Sequence, residues 1–170
     1  METPTTEGHH YFITFTNDYS HYTHIGFCKH KDDTLTMFKI FKACAKKETG
    51  KSLKILCTNG GGKYSSNAFN SFLAKNSIKQ ETTNLYTPQE NGVSEHTNHT
   101  TNNLTQSMIA DAHEVLKERS LPPALWLQAV HHVVWIKNHT PTQSLNSTTT
   151  PYQLYFGKKT IIVITPPVWL

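Results

Sequence analysis

The chain has 170 residues, 36% of them apolar, and a formal net charge of +4 at neutral pH. This length predicts one domain with its own hydrophobic core, and the short apolar runs exclude a membrane-spanning helix. Its three cysteines, Cys28, Cys44 and Cys57, have no CxxC spacing, which argues against a disulfide framework and a zinc knuckle. No signal peptide is recognised at the start, so we expect an intracellular protein.

The positive charge favours an anionic partner such as nucleic acid. Arg119 is, however, the only arginine among 16 basic residues, whereas histidine occurs 11 times. Since the arginine side chain is the usual bidentate ligand of phosphate, its scarcity weakens a prediction of direct DNA recognition.

Hydrophobic periodicity and turn residues predict alternating strands and helices, which is typical of a layered α/β domain. In chain order we predict a hairpin of strands at 11–16 and 22–28, a helix at 33–49 closed by Gly50, a strand at 52–58, a short helix capped by Ser65 or Ser66, a strand near 78–83, and helices at about 93–118 and 124–138.

The stretch KILCTNGGGKY, residues 54–64, has the form of a buried strand that runs into a glycine turn. The residue at the end of such a strand often carries a catalytic group. Here that residue is Asn59, whose amide cannot ionise.

Several motifs together identify a family. Their order and spacing resemble the integrase catalytic core of copia-type LTR retrotransposon Pol polyproteins, over residues 8–159. The matching motifs are Tyr11-Phe-x-Thr-Phe, Asp18-Tyr-Ser, Thr58-Asn-Gly-Gly, Tyr86-Thr-Pro-Gln-x-Asn-Gly-Val-x-Glu95 and Pro151-Tyr-x-Leu-x-Phe-Gly-Lys-Lys159.

The resemblance implies a ribonuclease H-like fold, a mixed sheet flanked by helices, and DNA integration by strand transfer. In the family, an Asp, Asp, Glu triad holds two Mg²⁺ or Mn²⁺ ions, which stabilise the attacking and leaving oxygens of the phosphodiester. Glu95 matches the glutamate of the triad, and Asn59 lies where the family has its second aspartate. The first aspartate lies on a strand upstream of the strand that contains Tyr11, and the chain begins too late to include that strand.

We therefore expect that this copy has lost catalysis and binds no metal, since Glu95 and an amide form a poor magnesium site. Asp18 is interpreted as a turn residue and not as a replacement ligand. The alternative functions are a non-catalytic module that binds DNA or an active integrase, or a remnant without function.

The resemblance also implies DNA as a partner, a homo-oligomer or an integrase partner, and a nuclear location within the cell. The DNA-contacting positions would be Lys63, Tyr86, Gln89, His99 and Asn102. His99 and Asn102 share the helix face of Glu95 but replace the basic residues typical of the family, so we expect weaker phosphate binding. Further candidate cations are Lys75, Lys79, Lys158 and Lys159.

Several other residues receive structural interpretations. Departures from the family pattern, such as Arg to His and Asp to Asn, indicate that the chain comes from a degenerate copy of a retrotransposon. The adjacent pairs His9-His10 and His131-His132 cannot chelate a metal alone, because neighbouring side chains point apart. Trp126 and Trp135 are predicted to belong to the core.

We divide the chain into a lead-in at 1–8, an integrase core-like domain at 9–159 and an apolar tail at 160–170. The tail, TIIVITPPVWL, departs from the polar continuation of the family and could cover exposed sheet or promote aggregation. Loss of the family's first strand, which is central in the sheet, would expose two strand edges and reduce stability.

Overall fold

The structure is a computed structural model and describes residues 4–5, 7–58, 62–82, 88–115, 122–145 and 147–158. Strands β1 (Tyr11–Thr16) and β2 (Thr23–Cys28) form the predicted antiparallel hairpin, in which Tyr11 pairs with Cys28 and Thr16 with Thr23. Helix α1 (Thr34–Thr49) ends at Gly50, whose φ of 69° places it in the left-handed region that favours glycine. The prediction of this closing glycine is confirmed.

The middle of the chain forms a second pair of strands. Strand β3 (Ile55–Thr58) and strand β4 (Lys79–Thr82) are parallel, and helix α2 (Asn67–Lys75) connects them. Ser66 caps α2, because its hydroxyl accepts a hydrogen bond from the backbone N–H of Phe69 at 3.2 Å. Of the two serines that could serve as the cap, the structure therefore selects Ser66.

Helix α3 (Pro88–Val115) comes next, and the α-helices α4 (Trp126–His139) and α5 (Pro151–Phe156) lie further along the chain. The predicted start of α3 near residue 93 was too late, because Pro88 is compatible with the first helical turn and Gly92 does not break the helix. The sequence reading did not predict α5, which is too short for a periodic pattern and is defined by its Thr150 capping box and Gly157 C-cap.

The hairpin is covered on both faces. Ile13 and Phe15 face α1, and the ring of Phe15 stacks on that of Phe41 with a centroid distance of 4.4 Å. Phe12 pairs with Phe27, whose ring lies 6.1 Å from that of Trp126 at the start of α4. Because side chains alternate along a strand, the hairpin lies between α1 on one side and α4 on the other.

The main core lies on the α1 side of the hairpin. Its buried members come from β1, β2, α1, α2 and the residue before β4, and they are Ile13, Phe15, Cys28, Phe38, Phe69, Leu73 and Ile78. Phe38 and Phe69 are fully buried. This arrangement brings the antiparallel pair and the parallel pair of strands against one hydrophobic cluster, as a mixed α/β fold requires.

The four strands nevertheless form two separate two-stranded sheets, β1–β2 and β3–β4, within the described part of the chain. β1 has no strand partner besides β2 there, and β3 has none besides β4.

The two tryptophans differ in burial. Trp126 is 3% exposed, which confirms its prediction as a core residue. The same prediction was wrong for Trp135, which is 44% exposed and stacks on His139 at a centroid distance of 4.5 Å. The apolar stripe of α4 is centred instead on Val130, Val133 and Val134, so Trp135 falls at its edge.

A half-buried polar cluster attaches α5 to the rest of the fold. We call His24, Glu48, Tyr22 and Tyr155 the His24 cluster. Nε2 of His24 lies 3.0 Å from the Tyr155 hydroxyl and 3.4 Å from Oε2 of Glu48, and Tyr155 stacks on Tyr22 at 4.5 Å. Burial lowers the pKa of His24 to about 4, so its contact with Glu48 is not an ion pair at neutral pH.

No helix among the described residues is long and apolar enough to cross a membrane.

Candidate nucleic-acid interface

The two positions matched to the metal ligands belong to β3 and α3. β3 ends at Thr58, and Asn59, the next residue, lies outside the described residues. Glu95 belongs to α3, but its side chain is also outside the part that the structure describes. Their roles therefore remain predictions from the sequence.

The donor set does not fit the implied magnesium centre. Two divalent ions in close proximity require several carboxylate oxygens, whereas these positions supply one carboxylate and one neutral amide. Among the described residues, no group of three His, Cys, Asp or Glu side chains is arranged to hold a metal ion.

The exposed side of α3 is polar but lacks positive charge. His96, His99, Asn102 and Asn103 are all exposed. The side-chain amide N–H of Asn103 donates to Nδ1 of His99 at 3.3 Å, which leaves the proton of a neutral ring on Nε2. This face can therefore donate and accept hydrogen bonds, but it supplies no fixed cation for phosphate.

The charge of α3 is in fact negative. Within Pro88–Val115 the sequence contains no lysine or arginine, and its acidic residues are Glu90, Glu95, Asp111 and Glu114. A helix of this composition does not attract a phosphate backbone.

The opposite side of α3 attaches to α4 through buried threonines. Thr97, Thr101 and Thr105 are 3%, 0% and 0% exposed and recur every four residues. Nζ of Lys137 donates to Oγ1 of Thr97 at 2.7 Å, and burial lowers the pKa of Lys137 to about 8. This buried face is not among the predictions from the sequence, although threonine recurs there at a spacing of four residues.

A further contact fixes α3 against the hairpin. The hydroxyl of Thr14 in β1 donates to Oδ1 of Asn98 at 2.7 Å. Asn98 therefore holds α3 at the sheet, while His99 and Asn102 remain in solvent. The structure thus places these two predicted DNA-contacting residues together on an exposed helix face.

The other predicted contacts are only partly described. Lys63 lies in the short 3-10 helix Gly62–Tyr64, and Gln89 lies in the first turn of α3, but neither side chain is described. Tyr86 lies outside the described residues, as does Lys159.

The further lysines do not converge on this site. Lys79 opens β4 beside Ile55, whereas Thr58 is at the opposite end of the same strand pair, and Lys75 precedes Lys79 at the end of α2. Nζ of Lys79 lies 2.8 Å from Oε1 of Glu81, so its charge is paired. Lys158 follows α5 and is exposed.

The fold defines the class of protein. The chain resembles the HTLV-2 integrase catalytic core domain in complex with magnesium, in its dimeric form, with a TM-score of 0.58 and 21% identity over 84% of this chain and 81% of that chain. It also resembles a chain of the simian T-cell lymphotropic virus intasome in complex with PP2A regulatory subunit B56 gamma, with a TM-score of 0.65, 18% identity, and 93% and 52% coverage. The fold is that of a retroviral integrase catalytic core.

Sequence comparison shows which proteins this chain is related to. Residues of this chain are 34% identical, over 145 positions, to the retrovirus-related Pol polyprotein from transposon TNT 1-94 of Nicotiana tabacum. They are 24% identical over 152 positions to that from transposon RE2 of Arabidopsis thaliana. The matches cover 85% and 89% of this chain but only 10% of each polyprotein, and no family model matches. The chain is therefore related in sequence to transposon Pol polyproteins and has the fold of a retroviral integrase catalytic core.

Proposed function

We propose that this chain is a retrotransposon integrase core-like domain whose strand-transfer activity is lost. The observation that carries the proposal is the amide of Asn59 at the position matched to a catalytic aspartate, in a chain related to Pol polyproteins. An amide cannot supply the negative charge that two divalent ions require, and Glu95 alone cannot replace it. The HTLV-2 core domain is in complex with magnesium, whereas we propose that this chain does not bind Mg²⁺.

DNA binding by this domain would be weak and dependent on salt. The exposed face of α3 offers the side chains of His99 and Asn102, and the helix carries four acidic residues and no lysine or arginine. The remaining positive charge of the chain would act mainly through dispersed lysines, so binding would lack base specificity. We expect this interaction in the nucleus, as the resemblance to integrases implies.

A second candidate function is association with another integrase core, including a second copy of this chain. The observation that favours it is an apolar groove of about 840 Å³ between α3 and α4, whose lining includes Met108, Ile109, Ala112, Leu125 and Trp135. Exposed apolar surface of this kind commonly marks a protein interface. The existence of a dimeric form of the HTLV-2 core agrees with this candidate.

A melt and a binding assay on the same preparation test the proposal. Addition of about 10 mM Mg²⁺ should leave the melting temperature unchanged, because only a ligand that binds the native state raises it. No phosphodiester cleavage or strand transfer should occur with Mg²⁺ or Mn²⁺. A metal-dependent rise in melting temperature together with DNA turnover would refute the loss of catalysis.

Asn59→Asp is the matched variant for this experiment, because it restores the carboxylate without a change of size. We expect little activity from it, since the matched positions 59 and 95 would then supply two carboxylates, and a two-metal site requires more. DNA binding that weakens steeply with salt, without turnover, supports the proposed binding role. Self-association that is lost in Trp135→Ala, without DNA binding, supports the second candidate, and a chain with neither property is a remnant.

A further inference from the structure

The surface where α1 meets α2 carries several lysines. Lys39, Lys42 and Lys46 follow one side of α1 at spacings of three and four residues, so their side chains are neighbours. Nζ of Lys39 and Nζ of Lys42 lie 5.4 and 5.9 Å from the ring centroid of Phe72 in α2, so this side of α1 is the one beside α2. Nζ of Lys42 also donates to Oδ1 of Asn76, just after α2, at 2.9 Å.

A fourth lysine extends this surface onto α2. Lys75 is exposed, follows Phe72 by about one helical turn and directly precedes Asn76. We call Lys39, Lys42, Lys46 and Lys75 the lysine row. Lys42 is half-buried, and the other three are exposed. These lysines are dispersed along the sequence, but the fold gathers them on one surface.

The charge of the lysine row is not neutralised by the described part of the protein. None of its ammonium groups forms an ion pair with a carboxylate there. Helices α1 and α2 contain one acidic residue, Glu48, and its carboxylate lies on the other side of α1, 3.4 Å from Nε2 of His24. The row is therefore a concentrated positive surface that attracts an external anion.

We propose that the lysine row binds the phosphate backbone of double-stranded nucleic acid. This inference rests on the DNA binding proposed above and locates it on α1 and α2 instead of α3. Lys39 and Lys46 are seven residues apart, which corresponds to about 10 Å along the helix axis. Because each strand of a duplex carries one phosphate per about 3.4 Å of its axis, this length matches roughly three consecutive phosphates.

The chemistry of the row favours a duplex over a single strand. A lysine ammonium group is a point charge and lacks the bidentate fork with which arginine recognises guanine. Proteins that bind single strands also stack the bases on aromatic rings. Here the ring of Phe72 is only partly exposed and lies beneath Lys39 and Lys42. Binding through the row should therefore depend on the phosphates and not on the base sequence.

A pair of double variants with the same net charge tests the location. Lys39→Gln/Lys46→Gln removes two exposed charges of the row, whereas Lys29→Gln/Lys47→Gln removes two exposed charges outside it. The affinity of each full chain for a short duplex of mixed sequence is measured by fluorescence anisotropy between about 50 and 200 mM salt. Lys39→Arg/Lys46→Arg, which keeps the charges, is the rescue variant.

The salt dependence gives the expected result. Each lost phosphate contact flattens the plot of log affinity against log salt by about 0.9, so the row variant should lose about 1.8 from its slope. Its affinity at about 50 mM salt should fall at least tenfold, because each contact contributes most at low salt. The control variant and the arginine variant should keep the slope of the unmodified chain.

The other outcomes separate this inference from the proposed function. If the unmodified chain binds the duplex and the row and control variants have equal slopes, the location is wrong while the proposed DNA binding stands. If the unmodified chain does not bind the duplex, both fail. Tighter binding of one separated strand, or of polyglutamate through the same lysines, would also overturn the proposal, because the row would then serve a single strand or an acidic protein.

Discussion

At the scale of single residues, the interface between α3 and α4 has one unfavourable group. Thr101 is fully buried, and its hydroxyl oxygen has no hydrogen-bond partner among the described residues. Thr105 lies one turn further along the same face, but its hydroxyl donates to the carbonyl oxygen of Thr101 at 2.7 Å. A buried hydroxyl without a partner loses its hydration without compensation.

Thr101→Val should therefore stabilise the protein. Valine has nearly the same shape, so the substitution removes the desolvated oxygen without a cavity. We expect the free energy of unfolding to rise by about 1 kcal/mol, which corresponds to roughly 2–4 °C in a thermal melt. Thr105→Val is the control, and it should give no gain because it removes a hydrogen bond. An equal rise in both variants would show that general hydrophobicity, and not the unpaired hydroxyl, is responsible.

At the scale of elements, local caps determine where the short helices begin. Ser66 and Ser65 are adjacent in the sequence, yet only the hydroxyl of Ser66 accepts the bond from the N–H of Phe69. Helix α2 matters because it carries Phe69 and Leu73, which are 0% and 3% exposed, into the main core.

Ser66→Ala should destabilise the domain by about 1 kcal/mol through loss of this cap. Ser71→Ala, which changes an exposed serine inside α2, is the control and should not destabilise the domain, because alanine has the higher helix propensity. Urea denaturation of the two variants beside the unmodified chain measures the difference. If Ser71→Ala proved the more harmful variant, the assignment of the cap would be wrong.

At the scale of the whole molecule, the His24 cluster joins β2, α1 and α5. The ring of His24 lies 5.1 Å from that of Phe41 and 5.0 Å from that of Tyr22, and the hydroxyl of Tyr155 contacts it from α5. Burial lowers its pKa from 6.5 to about 4 and raises the pKa of Glu48. At neutral pH the cluster therefore contains an uncharged imidazole.

Stability should decrease as the pH falls from 6.5 toward 4. In this window the unfolded chain binds a proton at His24 that the folded chain does not, so acid favours unfolding. We expect a loss of about 1–2 kcal/mol, after allowance for the solvent that reaches the cluster. The raised pKa of Glu48 opposes this loss, because the folded protein then binds a proton at the carboxyl more readily.

Thermal melts across this pH range test the assignment. In His24→Gln the melting temperature should depend less on pH than in the unmodified chain. The slope is the informative quantity, because His24→Gln also loses ring contacts and should lower the melting temperature at every pH. Identical slopes in the two chains would exclude His24 as the titrating group.

Much of the fold could be predicted from the sequence, because local patterns determine local structure. The hairpin turn, the closing Gly50 and the alternation of strands and helices all follow from short-range chemistry. The start of α3 could not be placed, since Gly92 is a turn residue in most contexts and a tolerated helix residue in this one. Trp135 was assigned to the core wrongly, because periodicity locates the apolar stripe of α4 but does not show how much of that stripe the neighbouring helices cover.

The sequence by itself determined the family resemblance, the amide at Asn59 and the absence of basic residues from 88–115, because these are matters of residue identity and order. Only the tertiary structure decided that Thr101 lacks a partner and that the strands form two separate sheets within the described ranges, and that His24 is held neutral. These properties depend on groups far apart in the chain. Burial, and the pairing of one polar group with another, exist only once distant segments have packed together.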